Sequence, residues 1–342
     1  MSRGNLRLNL ALQGGGAHGA FTWGVLDRLL EEKRLSIGCV SGTSAGAINA
    51  VALAAGFLEG GAQGARTKLN AVWAAIAKNR IPDFLRGVAR ASMAPLLSMF
   101  SPYDLNPLNF DPLRNLLNEH IEFDRLRSAA SFEVVIAATD VATGRARLFR
   151  KDEITVECVL ASACLPGLHH AVRIGDRHYW DGGFSANPEI LSLAGGKFAR
   201  DTLLVQLNPL ERSDVPTKAR DIAGCVNRIT FNAPLLKDIE RLEAVRRMPA
   251  GARLLAGAKV RRMARHRFHL IEASTHIAGL PHDSKLDLDK AMLDRLCEGG
   301  RIEADRWLIK NAAHVGRRGT VNLSAVFLGQ GAASPLTVVG KQ

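Results

Sequence analysis

The chain is expected to fold as an α/β protein with a parallel sheet covered by helices, and three observations predict it. Two strand-turn-helix units fill the first 60 residues. Hydrophobic residues make up 47% of the 342 positions and charged residues 23%, the balance of a globular protein with ample core. No apolar run approaches the roughly 20 residues that a membrane-spanning helix needs.

Leu6–Leu12 reads as a buried strand that leads into Gly14-Gly15-Gly16. Ala20–Lys33 follows, with Phe21, Val25, Leu26, Leu29 and Leu30 at helical spacing. A second strand, Ile37–Ser41, enters Gly42-Thr43-Ser44-Ala45-Gly46, and the next stretch, Ala47–Phe57, is apolar on all sides and reads as a buried helix. Pro82, Pro95, Pro102 and Pro107 interrupt the pattern, so residues 78–110 are expected to form an irregular cap-like insertion. Helical order resumes at Asp111-Pro112, a capping residue followed by proline at the first helical position. Phe132–Asp140 and Arg145–Phe149, joined through Thr143-Gly144, read as a strand pair, and Arg177–Trp180 and Leu203–Leu207 as further short strands.

Past about residue 210 the character changes to a basic, mainly helical region, 210–342. Ile222, Val226, Ile229, Ala233, Leu236, Ile239 and Leu242 advance by three or four residues and mark one long amphipathic helix. Two shorter helices are expected around Asp287–Cys297 and Ile302–Asn311, and the last 25 residues lack periodicity.

Met1–Leu12 lacks the continuous apolar stretch of a secretory signal, so export is not expected. Cys39, Cys158, Cys164, Cys225 and Cys297 are odd in number and scattered, which suggests neither a disulfide frame nor a zinc site and fits a reducing cytoplasm. The net charge of +12 implies affinity for something anionic.

Gly42-Thr43-Ser44-Ala45-Gly46 matches G-x-S-x-G, the tight turn that presents a serine hydroxyl between a strand and a helix. An attacking serine needs donors where charge develops on the substrate carbonyl oxygen, and the amides of Gly14, Gly15 and Gly16, at a helix start, are placed to supply them. Gly14, Gly16 and Gly19 also satisfy the dinucleotide fingerprint G-x-G-x-x-G. That reading requires an acid at the end of the second strand, where this chain has the serine turn; Glu31 and Glu32 fall in the preceding helix. The base for Ser44 is sought in Trp180-Asp181-Gly182-Gly183, after the strand Arg177–Trp180.

Gln13-Gly14-Gly15-Gly16-Ala17-His18-Gly19, Gly42-Thr43-Ser44-Ala45-Gly46 and Asp181-Gly182-Gly183, in this order, resemble the patatin-like phospholipase family over roughly residues 6–200, and Ala161-Ser162-Ala163-Cys164-Leu165-Pro166 is similar to the helix end before the family's aspartate. The resemblance implies a three-layer α/β/α sandwich around a mostly parallel sheet, with the catalytic domain at 6–200 and the basic helical region as an extension. It implies a lipid acyl hydrolase with Ser44 as nucleophile, Asp181 as base, Gly14, Gly15 and Gly16 as oxyanion hole, and no metal or organic cofactor. His18, Gly19, Gly42, Gly46, Gly182 and Gly183 support these motifs. The family usually carries Arg or Lys where this chain has His18; a protonated His18 would restore that charge below about pH 6.5, whereas a neutral imidazole would be a structural hydrogen-bonder.

A Ser-His-Asp triad is the nearest rival, with His266, His269, His276, His282 or His314 after Asp181 and His169-His170 before it. The further alternatives are a depolymerase of an intracellular polyester and a non-catalytic lipid- or nucleotide-binding module, against which the intact Ser44 and Asp181 argue. Arg246–Arg267 carries seven arginines, Lys259 and His266, interleaved with Leu254, Leu255, Val260 and Met263. It suits peripheral contact with an anionic inner membrane, or serves as a solvated face covering the sheet edge. No aromatic stacking series accompanies these arginines, so nucleic acid is not an expected partner.

Overall fold

The computed structural model describes residues 5–78, 101–211, 215–280 and 282–329. An eight-stranded sheet runs in the order β5-β6-β3-β2-β1-β7-β8, with β4 also paired to β3. Its strands are β1 (Leu6–Leu12), β2 (Leu35–Thr43), β3 (Glu133–Asp140), β4 (Ala146–Arg150), β5 (Val172–Ile174), β6 (Arg177–Asp181), β7 (Asp201–Gln206) and β8 (Arg267–Glu272). The run from β3 to β8 is parallel, and β4, β5 and β6 pair antiparallel.

Side chains alternate across the strands and so divide the core into two layers. Leu8, Leu10 and Leu12 of β1, Val134 and Ile136 of β3, and Leu203 and Val205 of β7 face one cluster, shared with α1 (Gly19–Leu30), α2 (Ala45–Lys78) and the helix Lys290–Asn311. Ala11, Val135 and Leu204, one residue out of phase, face the second, shared with the helix Ala219–Arg247. This is the three-layer α/β/α sandwich. By length and composition α2 could cross a membrane, but most of it is buried in the molecule, and its backbone breaks at Gly60 and Gly61.

The region after residue 210 differs from the expected extension. β8 adds an edge strand in parallel to β7, with Asp201 opposite Arg267 and Gln206 opposite Glu272. The two short helices expected beyond Asp287 are one, Lys290–Asn311, packed on α1 so closely that a side chain at Gly300 would overlap the Phe21 carbonyl and one at Gly24 the Cys297 carbonyl. The basic stretch Arg246–Arg267 is divided among a helix end, two short helices (Ala250–Leu255 and Gly257–Arg265) and the start of β8. Arg246 binds the His266 carbonyl, Arg262 the Gly195 carbonyl and Arg267 the carboxylate of Asp201, so these three hold structure together. Most of the cap-like insertion expected over 78–110 lies outside the described residues; its end holds a one-turn helix, Pro102–Leu105, capped by Ser101. The aperiodic last 25 residues include a short helix, Leu323–Leu328, and those from 330 on lie outside the described residues.

Candidate active site

Sheet register brings the serine turn and the aspartate together. Along one edge of β3, β2 pairs up to Thr43 opposite Ala137, and the next residue, Ala138, pairs with Asp181 of β6. β4 occupies the other edge, where Leu148 faces Ala137 and Arg147 faces Ala138. β6 therefore continues the line that β2 leaves when it turns at Ser44. The Thr139 hydroxyl donates to the Asp181 carbonyl at 2.8 Å and fixes the end of β6 there.

Ser44 adopts φ +54°, a conformation that costs a residue with a β-carbon of order 1 kcal/mol and that holds its hydroxyl at the turn. Its amide donates to the Ser162 hydroxyl at 2.9 Å, from the helix Val156–Ser162. The glycines are needed for close approach: a Cβ on Gly14 would stand 2.8 Å from Ser44 Cβ and 2.9 Å from the Thr43 carbonyl, and one on Gly46 would overlap the Leu12 carbonyl. Gly19 abuts Ala45, Gly42 abuts Gly46, Gly182 abuts the Ala137 carbonyl and Gly183 abuts Phe231. All the glycines expected at the site are thus at one place.

The three glycine amides are not equivalent. The Gly14 amide, expected to bind an oxyanion, instead donates to Asn187 Oδ1 at 2.7 Å, because the side chain of Asn187 reaches under the turn. Gly15 and Gly16 have no acceptor for their amides among the described residues, and Gly16 has φ +57°.

Residues 10–194 match the family described as patatin-like phospholipase. The chain belongs to the patatin-like phospholipase family. It is accordingly a lipid acyl hydrolase. Among solved structures, VipD from Legionella pneumophila aligns with TM-score 0.43 and 14% identity over 89% of this chain and 67% of that one. ExoU, in its complex with SpcU from the type III secretion system of Pseudomonas aeruginosa, aligns with TM-score 0.31 and 18% identity over 95% of this chain and 75% of that one. No curated protein matches the chain significantly.

In this patatin-like site the carboxyl of Asp181 is fully buried. Its Oδ1 accepts the Gly183 amide at 2.7 Å, while Oδ2 has no closed hydrogen bond. Burial pushes its pKa up to about 7, against the opposing pull of the Gly183 amide, the nearby Ser44 hydroxyl and the charge of Lys285. The serine hydroxyl is thus within reach of the carboxylate without an aligned bond, the loose geometry common before substrate binds. No described histidine side chain hydrogen-bonds Ser44 or Asp181: His266 pairs with Thr202, His269 with Asp201 and Thr320, and His276 with Glu303. Among the described residues no group of three or more His, Cys, Asp or Glu converges as a metal site.

His18 is buried, with Nε2 at 2.8 Å from the Ser284 hydroxyl. Burial, and next the charge of Lys285, push its pKa down to about 4, so of the two alternatives the neutral, structurally hydrogen-bonded imidazole is the one favoured here. Four residues at the site were not expected: Ser162, Asn187, Asn208 and Lys285. Ser162 falls in a segment whose only signal is its family likeness. The other three carry no motif of their own: Asn187 follows the Asp181 turn, Asn208 follows β7, and Lys285 lies in the distant turn His282–Leu286.

Proposed function

We propose that this lipid acyl hydrolase cleaves carboxylic ester bonds of phospholipids or related lipids with Ser44 as nucleophile and Asp181 as its base. The observation that carries the reading is the placement of a fully buried, under-paired carboxyl next to the strained serine turn. A carboxylate with a pKa near 7 is a far better proton acceptor at neutral pH than an ordinary aspartate. Asp181 takes the proton as Ser44 Oγ attacks the ester carbonyl, and the Gly15 and Gly16 amides receive the oxyanion. Collapse of the tetrahedral intermediate returns the proton to the departing alcohol. Asp181 then deprotonates a water that attacks the acyl-enzyme, which releases the fatty acid and restores Ser44.

Ser44→Ala and Asp181→Asn should each lower ester hydrolysis by on the order of 10⁴-fold with the fold retained, because nucleophile and base act as a unit. Product analysis by mass spectrometry over phospholipids, lysolipids and triacylglycerols would name the bond cut. Full activity in Asp181→Asn would exclude the dyad.

Peripheral membrane contact falls, in this reading, to the helix Ala250–Leu255. Its Leu254 and Leu255 are 64% and 89% exposed, and Arg247, Lys259 and Arg265 beside it in sequence are exposed too. Cosedimentation with anionic vesicles should fall in a Leu254→Asp, Leu255→Asp double variant and in high salt; unchanged sedimentation in both would remove the contact.

A further inference from the structure

The short helical turn His282–Leu286 lies across the glycine run, although more than 260 residues separate them in sequence. A side chain at Gly16 would overlap the Lys285 carbonyl, and the Ser284 hydroxyl binds His18. The ammonium of Lys285 donates to Asn208 Oδ1 at 2.5 Å. Asn208 is itself fixed to the turn: its Nδ2 donates to the Gly14 carbonyl at 3.0 Å and its amide to Gln13 Oε1 at 2.8 Å. On its other side Nζ stands 6.0 Å from the centre of the Phe231 ring, the ring that fills the space next to Gly183. The ammonium is therefore held between the glycine turn and the Asp181-Gly182-Gly183 turn. Among the described residues it forms no ion pair, and the titratable groups that feel its charge are Asp181 from β6 and His18 from the glycine turn. The helix Ala219–Arg247 presents Phe231 to it.

An unpaired cation at this place has two effects on the reaction. It favours the ionised form of Asp181, and it favours negative charge on an oxygen bound at the glycine turn. His18 supplies no charge, so among the described residues the cation at the turn is Lys285. We propose that Lys285 is the electrostatic positioning residue of this site, held by Asn208 so that its ammonium keeps Asp181 as the carboxylate and adds positive charge where the ester oxyanion forms. This rests on the Ser44–Asp181 reading above. Desolvation of its ammonium between the two turns lowers the Lys285 pKa to about 8, against the opposing attraction of Asp181. Activity should then rise as Asp181 ionises through about pH 7 and fall as Lys285 loses its proton above about pH 8.

The test compares kcat/KM against pH for the full-length wild type, Lys285→Met and Lys285→Arg on a soluble p-nitrophenyl ester. The rate at which a fluorophosphonate labels Ser44 is measured beside it, with folding checked by circular dichroism. Lys285→Met should lower kcat/KM about tenfold, move the acid limb up by about one pH unit and abolish the alkaline limb. Lys285→Arg should keep the acid limb near that of wild type and lose the alkaline limb, because a guanidinium does not deprotonate in this range. A folded Lys285→Met variant with an unmoved acid limb overturns the proposal. If Lys285→Met does not fold, an alkaline limb retained in Lys285→Arg overturns it instead. Wild type that neither hydrolyses the ester nor labels at Ser44 removes the dyad reading itself, an outcome distinct from failure of Lys285 alone.

Discussion

Asp181, at the end of β6, and Asp201, at the start of β7, are both buried in one sheet, at 0% and 2% exposure, yet their environments drive them in opposite directions. Asp201 opens β7 and receives both arms of Arg267 at 2.9 and 2.8 Å, His269 Nε2 at 3.1 Å and the Gly316 amide at 3.2 Å. Despite the opposing effect of burial, the hydrogen bonds from His269 and Arg267 hold its pKa well below the usual carboxylate range. Asp181 closes β6 with one backbone amide and one oxygen lacking a closed bond, and burial prevails. Burial alone does not make a base. What distinguishes the two acids is the number of donors the fold aims at each.

Each acid can be removed to test that contrast. The largest effect on stability is expected from Asp201→Asn, which leaves Arg267 without its anion and should cost about 3 kcal/mol, seen as a lower midpoint in urea unfolding. The stabilisation from Asp201 is present above the ordinary Asp range and is lost as pH falls through its depressed pKa, so the variant should differ least from wild type in strong acid. Ester hydrolysis per folded molecule should be nearly unchanged.

Asp181→Asn should act the other way. An aspartate whose folded pKa is raised to about 7 is stabilising only in its protonated form, and that contribution disappears as pH rises towards the folded value. The variant should therefore gain a few degrees in Tm relative to wild type, a gain that grows between about pH 4 and 7 and is level above. The smallest effect is expected from Ser162→Ala, which removes the acceptor of the Ser44 amide; a cost near 1.4 kcal/mol corresponds to about tenfold in kcat, with little change in KM. A Ser162→Ala variant with wild-type kcat would show that the turn is held without that bond.

The sandwich was legible because β1 to α2 is built from local pattern: alternating leucines, a glycine turn, then helical spacing in the segments on either side of each turn. β8 was hidden behind the arginine-rich helices that precede it, and its six residues carry too short a pattern to separate strand from helix. The helix Lys290–Asn311 looks divided in sequence at Gly299-Gly300, where glycine signals a break but in the structure permits close crossing of α1. At the site, Ser44, Asp181 and the glycines announce themselves by motif. Asn187, Asn208 and Lys285 do not, since a lone amide or lysine in a loop acquires a role only when the chain returns to the glycine turn. The commitment of the Gly14 amide to Asn187 could not be read from sequence for the same reason.

The most direct measurement of the protonation state of Asp181 is infrared difference spectroscopy of wild type minus Asp181→Asn across pH. The subtraction matters because Asp238, buried near Glu189, also has its pKa pushed up to about 7. The expected result is a protonated-carboxyl band, present at pH 5 in wild type and absent from the variant, that disappears with a midpoint near 7 in step with the rise in kcat/KM. A difference spectrum with no protonated-carboxyl band at pH 5 would mean that Asp181 is an ordinary ionised aspartate, and the account of a burial-tuned base would be wrong.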